Sequence, residues 1–413
     1  MVHAQRHQVE LIPRALDEAL PPDHRARAIW EVVEKLDLSK FYERIAAREG
    51  KAGRPATDPK IFVALWLYAT SEGVGSARQL ARLCESQDAY RWLCGGVSVN
   101  HHTLGDFRVG HQEALDSLMT QVLAVMMQQG LVELERVTQD GTKVRASAGA
   151  ASFRRQGSLE KCLEEARAQV EHAKQQKDGN DVELNARQKA AQERAARERK
   201  EKVEAALAQL PDVQETKKRN GAKKEEARVS TTDSEARVMK MPDGGFRPAY
   251  NVQLATDVDS RVIVGVDVTN AGTDMGQLKP MLEQVEQRTG QLPHKVLVDG
   301  GFTKLEDIEH AEKKGVEVIA PVPTPRKEGI DPHAPKQGDS PEVAAWRARM
   351  GSEEAQEEYK LRAATAETVN ADLKTWRGLT QVRVRGSEKV LSVVLWAVLT
   401  YNFLRYLSLV SGV

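Results

Sequence analysis

From about Ala15 to Gly130, apolar residues recur at three- and four-residue steps, as in Ile29-Val32-Val33-Leu36, Ile61-Phe62-Ala64-Leu65-Leu67-Tyr68 and Leu118-Met119-Val122-Leu123-Val125-Met126. That spacing returns to one helix face every turn, so an almost wholly helical segment is expected. Turn signals divide it: Gly53-Arg54-Pro55-Ala56-Thr57-Asp58-Pro59, Glu72-Gly73-Val74-Gly75-Ser76 and Gly95-Gly96. Ser76 is placed to cap a helix over Ala77–Glu85, and Asp88–Leu93 forms another, which gives the short helices and tight turns of a helix-turn-helix module.

After Leu131 the period changes. Leu134-Glu135-Arg136-Val137-Thr138 reads as a strand running into Gln139-Asp140-Gly141-Thr142, where Asp-Gly is either a hairpin turn or the end of a strand that delivers a carboxylate. Ser158 to about Leu210 is charged and alanine-rich, with Leu159, Cys162, Ala166, Val170 and Ala173 at helical steps and a break at Gly179-Asn180, so a helical hairpin is expected. The basic cluster Lys217-Lys218-Arg219 with Lys223-Lys224 follows, and is either a polyanion contact or a linker. Tyr250–Thr256 and Val262–Val268 read as two strands joined in a hairpin by Asp257-Val258-Asp259-Ser260. Then come an amphipathic helix over Asp274–Thr289, a strand Val296-Leu297-Val298 ending in Asp299-Gly300-Gly301, a helix over Leu305–Lys314 and a strand Val316–Ala320. This order predicts an α/β fold: a mixed sheet with helices on its faces. Pro321 to about Gly351 reads as a long surface connection, Glu353–Lys374 as a helix, Gln381–Arg385 as a strand, and Lys389 to Leu409 as an apolar helix.

Composition narrows the function classes only a little. At 413 residues, two or three folded units are expected. Basic and acidic residues both total 60, so net charge gives no support to nucleic-acid binding and any basic surface must come from local segregation, as with Arg78, Arg82, Arg91 and Arg108 beside His101 and His102. The N-terminal stretch lacks the apolar core of a signal peptide, and the apolar segments Ile61–Ala69 and Val390–Val410 are short or interrupted by polar residues, so a cytosolic protein with no membrane span is expected. Cys84, Cys94 and Cys162 form neither a disulfide framework nor a zinc spacing.

Three acids stand out. Asp299 closes a strand predicted to be buried on both faces, at the C-terminal end where open α/β sheets keep their active sites. Asp140 ends another strand segment, and Glu367 lies seven residues from Lys374, two turns along one helix face. Four segments carry a resemblance: Asp140-Gly141-Thr142-Lys143-Val144; Tyr250-Asn251-Val252-Gln253; Val298-Asp299-Gly300-Gly301-Phe302; and Tyr359 to Lys374 with Arg377-Gly378-Leu379. In their order, and in the helical insertion between the first two acids, the chain resembles a DDE-class transposase of a bacterial insertion sequence. The Gly53-Arg54-Pro55 stretch resembles the DNA-binding half of the same proteins, so the similarity covers nearly the whole chain.

The resemblance implies an RNase H-like catalytic domain with flanking helices over 131–157 and 230–413, a helical DNA-binding domain over 1–130, and an inserted helical hairpin over 158–229. It implies Asp140, Asp299 and Glu367 as catalytic residues and metal ligands. Their all-oxygen donor set suits Mg²⁺ or Mn²⁺ and not zinc or copper. The family signature maps onto Tyr359, Arg362, Glu367 and Lys374, with four residues and not three between Arg362 and Glu367. Tyr359, Arg362 and Lys374, together with Arg78 and Arg82, are then expected at double-stranded DNA, comprising transposon ends and target. A homodimer on DNA is implied, in the bacterial cytoplasm and nucleoid-associated when bound. The implied activity is cleavage at the element's ends and joining of the 3′-hydroxyls to target DNA by two-metal phosphoryl transfer. A non-catalytic regulator derived from a transposase, or a nuclease that does not join strands, are the alternatives.

Overall fold

A computed structural model of the chain describes residues 13–43, 45, 56–178, 186–325 and 329–411. The Gly53-Arg54-Pro55 stretch and the Gly179-Asn180 break lie outside them. The N-terminal third is helical as its spacing predicts: α1 (Arg25–Lys35), α2 (Ser39–Tyr42), α3 (Pro59–Ser71), α4 (Ala77–Ser86), α5 (Asp88–Cys94), α6 (His101–Gly110) and α7 (Gln112–Gln128). Side chains close the orphan amides at their starts. Asp58 accepts from Lys60 N with Pro59 at the first helical position, and Ser76 accepts from Gln79 N.

The remainder alternates strands and helices. β1 (Arg136–Arg145) and β2 (Phe153–Arg154) precede the two long helices α8 (Gln156–Asp178) and α9 (Ala186–Arg219). Then follow β3 (Val229–Ser230), β4 (Arg237–Lys240), β5 (Phe246–Asp257), β6 (Ile263–Thr269), α10 (Leu278–Thr289), β7 (Lys295–Leu297), α11 (Leu305–Lys313), β8 (Glu317–Ile319), α12 (Pro341–Met350), α13 (Glu353–Thr375) and α14 (Ser387–Ser411). The sheet centres on β1. One edge of β1 pairs antiparallel with β5, whose far edge carries β6 and β4; the other edge pairs parallel with β7, which pairs parallel with β8. Antiparallel pairing of β4 and β6 with β5 and of β5 with β1, continued by the parallel strands β7 and β8, gives a six-stranded RNase H-like mixed sheet with helices on its faces.

The helix α14 is long and apolar enough to cross a membrane, and most of it is buried inside the fold as a core element. Val394, Leu395, Trp396 and Val398 are fully buried, and it packs on α3, α6, α7 and β6. Its polar residues are bonded inside: Asn402 accepts from Ile263 N at 2.9 Å and donates to Ile263 O at 2.7 Å, and Thr400 donates to Trp396 O at 2.8 Å. The N-terminal helices and the β1-β5-β6 side of the sheet therefore share one core through α14, while Val296, Leu297, Phe302, Val318 and Trp346 build another on the β7-β8 side.

Four sequence expectations change. Asp140-Gly141 makes no turn; both residues sit inside β1, which runs on to Arg145 because β5 pairs with it residue by residue. α10 begins at Leu278, so Asp274 lies in the loop before it. The expected loop after Pro321 contains α12, whose Trp346 is buried and donates to Ala320 O at 3.2 Å. In place of a strand at Gln381–Arg385 there is one bridge, Gln381 to Arg145.

Candidate active site

Two acids meet because of strand register. β1 and β7 run parallel with Thr138 beside Leu297, so two residues further on Asp140 and Asp299 stand level on neighbouring strands and on the same face. Asp299 follows β7, extended one residue by Val298 N donating to Ile319 O at 3.1 Å. Its carboxylate accepts from Gly301 N at 2.7 Å and caps a short 3₁₀ turn, which the buried Phe302 anchors. The glycines that follow Asp299 let the chain fold back tightly on its own carboxylate.

Helix α13 covers this end of β1. Asn370 Nδ2 donates to Asp140 Oδ2 at 2.7 Å, and Arg362 Nη1 lies 3.7 Å from Asp140 Oδ1. Arg362 is itself held over the ring of Tyr359, 5.8 Å from its centroid, and Tyr359 packs half-buried against the β7-β8 core. Burial raises the Asp140 carboxyl to about 6; Arg362 draws it back down, and the charges of Asp299 and Asp274 raise it further. Lys374 is half-buried on the same helix. Burial lowers its pKa, the Asp140 charge acts against that, and Lys143 adds to it.

The structure thus brings Asp140, Asp299, Arg362 and Lys374 into one electrostatic neighbourhood, with Tyr359 supporting Arg362 from behind. Glu367 is exposed on α13, one turn before Asn370, and adjacent turns of a helix put such side chains about 5–6 Å apart at Cβ. Among the described residues no three acidic, histidine or cysteine side chains are grouped closely enough to hold a metal ion. Two carboxylates are in place, and Glu367 lies outside their immediate group.

Arg78 and Arg82 are exposed at consecutive turns of α4, away from the buried Leu80, and the Arg78 charge together with His102 helps lower the pKa of His101, after burial. This is a local basic face of the kind the neutral net charge demanded. Arg108 does not belong to it. Its guanidinium donates to Gly75 O at 2.6 Å and lies over Trp66 at 4.7 Å, and burial lowers its pKa to about 10.

Two residues near the acids escaped the sequence reading. Asn370 is one. Asp274 is the other: Asn251 donates to its Oδ1 at 2.6 Å, Gln253 at 2.7 Å, and Lys143 Nζ lies 3.4 Å away. The available signal was in β5, where Asn251 and Gln253 alternate with apolar residues in a strand buried on both sides and so require a polar partner.

Comparison with known families matches residues 214–403 to the family described as Transposase DDE domain, and residues 14–109 to Transposase domain (DUF772). The first stretch contains Asp274, Asp299 and Glu367; Asp140 lies in neither, and the β1–β7 register sets it beside Asp299. Neither the curated proteins nor the solved structures gave a match.

Proposed function

Because the chain belongs to the DDE-class transposases of insertion sequences, we propose that Asp140, Asp299 and Glu367 cleave the ends of its element and join the freed 3′-hydroxyls to target DNA. The observation that carries this reading is the level placement of Asp140 and Asp299 at the end of the parallel β1–β7 pair, roofed by the cations of α13. Two carboxylates held side by side and partly desolvated are costly without a counter-charge, and the raised Asp140 pKa expresses that cost. The donor set fits Mg²⁺ or Mn²⁺: Asp140 and Asp299 supply hard oxygens in place, the Asn370 Oδ1 beside Asp140 is buried without a partner, and Glu367, exposed one turn before Asn370 on α13, would have to turn toward the pair to complete it. When bound there, the divalent ions supply activation of a water or 3′-hydroxyl and neutralisation of the leaving oxygen.

The chain's own groups have distinct tasks. Arg362 and Lys374 neutralise phosphate charge beside the scissile bond, with Arg362 fixed in direction by the ring of Tyr359. Asn370 orients the Asp140 carboxylate by its hydrogen bond. Arg78 and Arg82 contact the DNA backbone further out, from the 1–130 region. We read 131–157 with 230–413 as the catalytic unit and 158–229 as an insertion whose longer helix extends roughly 50 Å, at 1.5 Å per residue. Two element ends have to be brought together, which calls for a homodimer on DNA.

The test is strand cleavage and joining on a duplex carrying the sequence that flanks the gene, with Mg²⁺. Asp140→Asn, Asp299→Asn and Glu367→Gln should each lose at least about 100-fold in rate, the scale of removing a principal electrostatic contribution. Near-normal activity in any one would remove that residue from the site, and binding without metal-dependent cleavage by the wild type would make the protein a regulator.

A further inference from the structure

The last turn of α4 and the last residue of α5 each carry a cysteine, Cys84 and Cys94. Along α4, Leu80 and Cys84 are four residues apart on one side, and the exposed Arg78 and Arg82 are four apart on another. Cys84 therefore lies on the side that buries Leu80 and not on the basic face. Cys94 is 3% exposed, and α5 packs back on α4 after the single linking residue Gln87.

The two side chains meet at one cavity. It has a volume of about 380 Å³, is half open to solvent, and is lined by Cys84 and Cys94 together with Leu16, Glu85, Arg91 and Val99 among others. Across it Cys84 donates its S–H to the Cys94 sulfur, which lowers the Cys94 pKa against the opposing effect of burial. The same contact, then burial, raises the pKa of Cys84. Arg91 on the cavity wall is engaged by Asp88 at 3.3 Å.

Packing alone asks for none of this. A cysteine that only fills space behaves as a small apolar side chain, and burying it requires neither a second thiol nor an open approach. Reaction with an oxidant requires thiolate character, access, and a second thiol in reach, and this cavity wall supplies all three.

We propose that Cys84 and Cys94 form a dithiol site that a small hydroperoxide entering this cavity converts into a disulfide, tying α4 to α5. First the Cys94 thiolate attacks one peroxide oxygen; the O–O bond breaks, hydroxide or alkoxide leaves with the proton the thiol gave up, and Cys94 becomes a sulfenic acid. Then the Cys84 sulfur attacks the Cys94 sulfur, the Cys84 proton goes to the departing hydroxide, and the S–S bond forms as water leaves. Two thiols and one hydrogen peroxide thus give one disulfide and two waters. The sulfurs have to close to about 2.05 Å from hydrogen-bonding contact, a movement that the two helix ends supply beside the open cavity.

The test treats the full chain with a small excess of hydrogen peroxide in EDTA, alkylates the remaining thiols with iodoacetamide under denaturing conditions, and locates the linkage by mass spectrometry. Alkylated cysteines should fall from three to one, Cys162 on α8 being the one that remains. Cys84 and Cys94 should appear in one linked peptide pair, lighter by two hydrogens, and dithiothreitol should return all three thiols. Cys84→Ser should stop at a Cys94 sulfenic acid that dimedone labels, whereas Cys94→Ser should leave Cys84 alkylatable. Loss of fold does not produce that difference, since it exposes both thiols alike. Three alkylated cysteines in the peroxide-treated wild type, or linkage through Cys162 in place of the pair, overturns the assignment. Equal dimedone labelling of the two single variants overturns the order of the steps and, with it, the role given to the thiol contact.

Discussion

Replacing Asp140 by asparagine should abolish cleavage and yet stabilise the metal-free protein at neutral pH. Its carboxyl is raised from 3.8 to about 6, so the native state holds that proton more tightly than the unfolded chain does. Between about pH 4 and 6 the native state carries the extra proton, so stability falls as pH rises through that window and stays at the lower level above it. At about 1.4 kcal/mol per unit, the charged form near pH 7.5 costs roughly 3 kcal/mol. The side chain is 21% exposed, so solvent screening takes little of this away. Asparagine keeps an acceptor for Asn370, and the 3.7 Å contact to Arg362 that it gives up is already included in the raised value. The net gain is then about 1–3 kcal/mol, or, for 413 residues unfolding together, a melting temperature higher by roughly 1–3 °C. The assay is thermal unfolding of both proteins in EDTA at pH 7.5 and pH 4.5, with the gap shrinking at the lower pH. Mg²⁺ should then raise the melting temperature of the wild type more than that of the variant. A variant no more stable than wild type at pH 7.5, or a gap of the same size at both pH values, would refute the reasoning.

Two further outcomes test the frame that carries the site. Trp346→Ala empties a fully buried position of α12 and strands Ala320 O, so unfolding should become easier by about 3–5 kcal/mol, measured by urea denaturation at unchanged m-value. Asn402→Leu leaves Ile263 N–H and C=O buried without partners and should cost about 2–5 kcal/mol; amide exchange at Ile263 should accelerate by at least as much as global exchange, and protection equal to wild type would show that the bridge is dispensable.

The chain's periodicity was enough to locate most elements. Three- and four-residue apolar steps gave the N-terminal helices and the 158–210 hairpin, and the short apolar run before Asp299 gave β7, because burial of one stripe or both faces is a local pattern. The capping residues Ser76 and Asp58 were legible for the same reason: a cap satisfies amides within its own turn. The stretch after Pro321 reads as a surface connection because Pro, Gly and charged residues outnumber apolar ones there, while Val343, Trp346 and Met350 together turn one face of α12 inward.

What local letters could not decide is where strands lie against each other. Asp140-Gly141 has the composition of a turn and became mid-strand because β5 bonds along the whole of β1, a pairing between residues more than a hundred positions apart. The same non-local hydrogen bonding sets Thr138 beside Leu297 and so puts Asp140 level with Asp299. The sequence alone determined that the chain carries these acids, the cations near them and a mixed α/β fold to hold them. The tertiary structure decided which of them stand together, that Arg108 serves the core, and that Asp274 is the acceptor for Asn251 and Gln253 of β5, since register and face come from contacts that no short window of sequence contains.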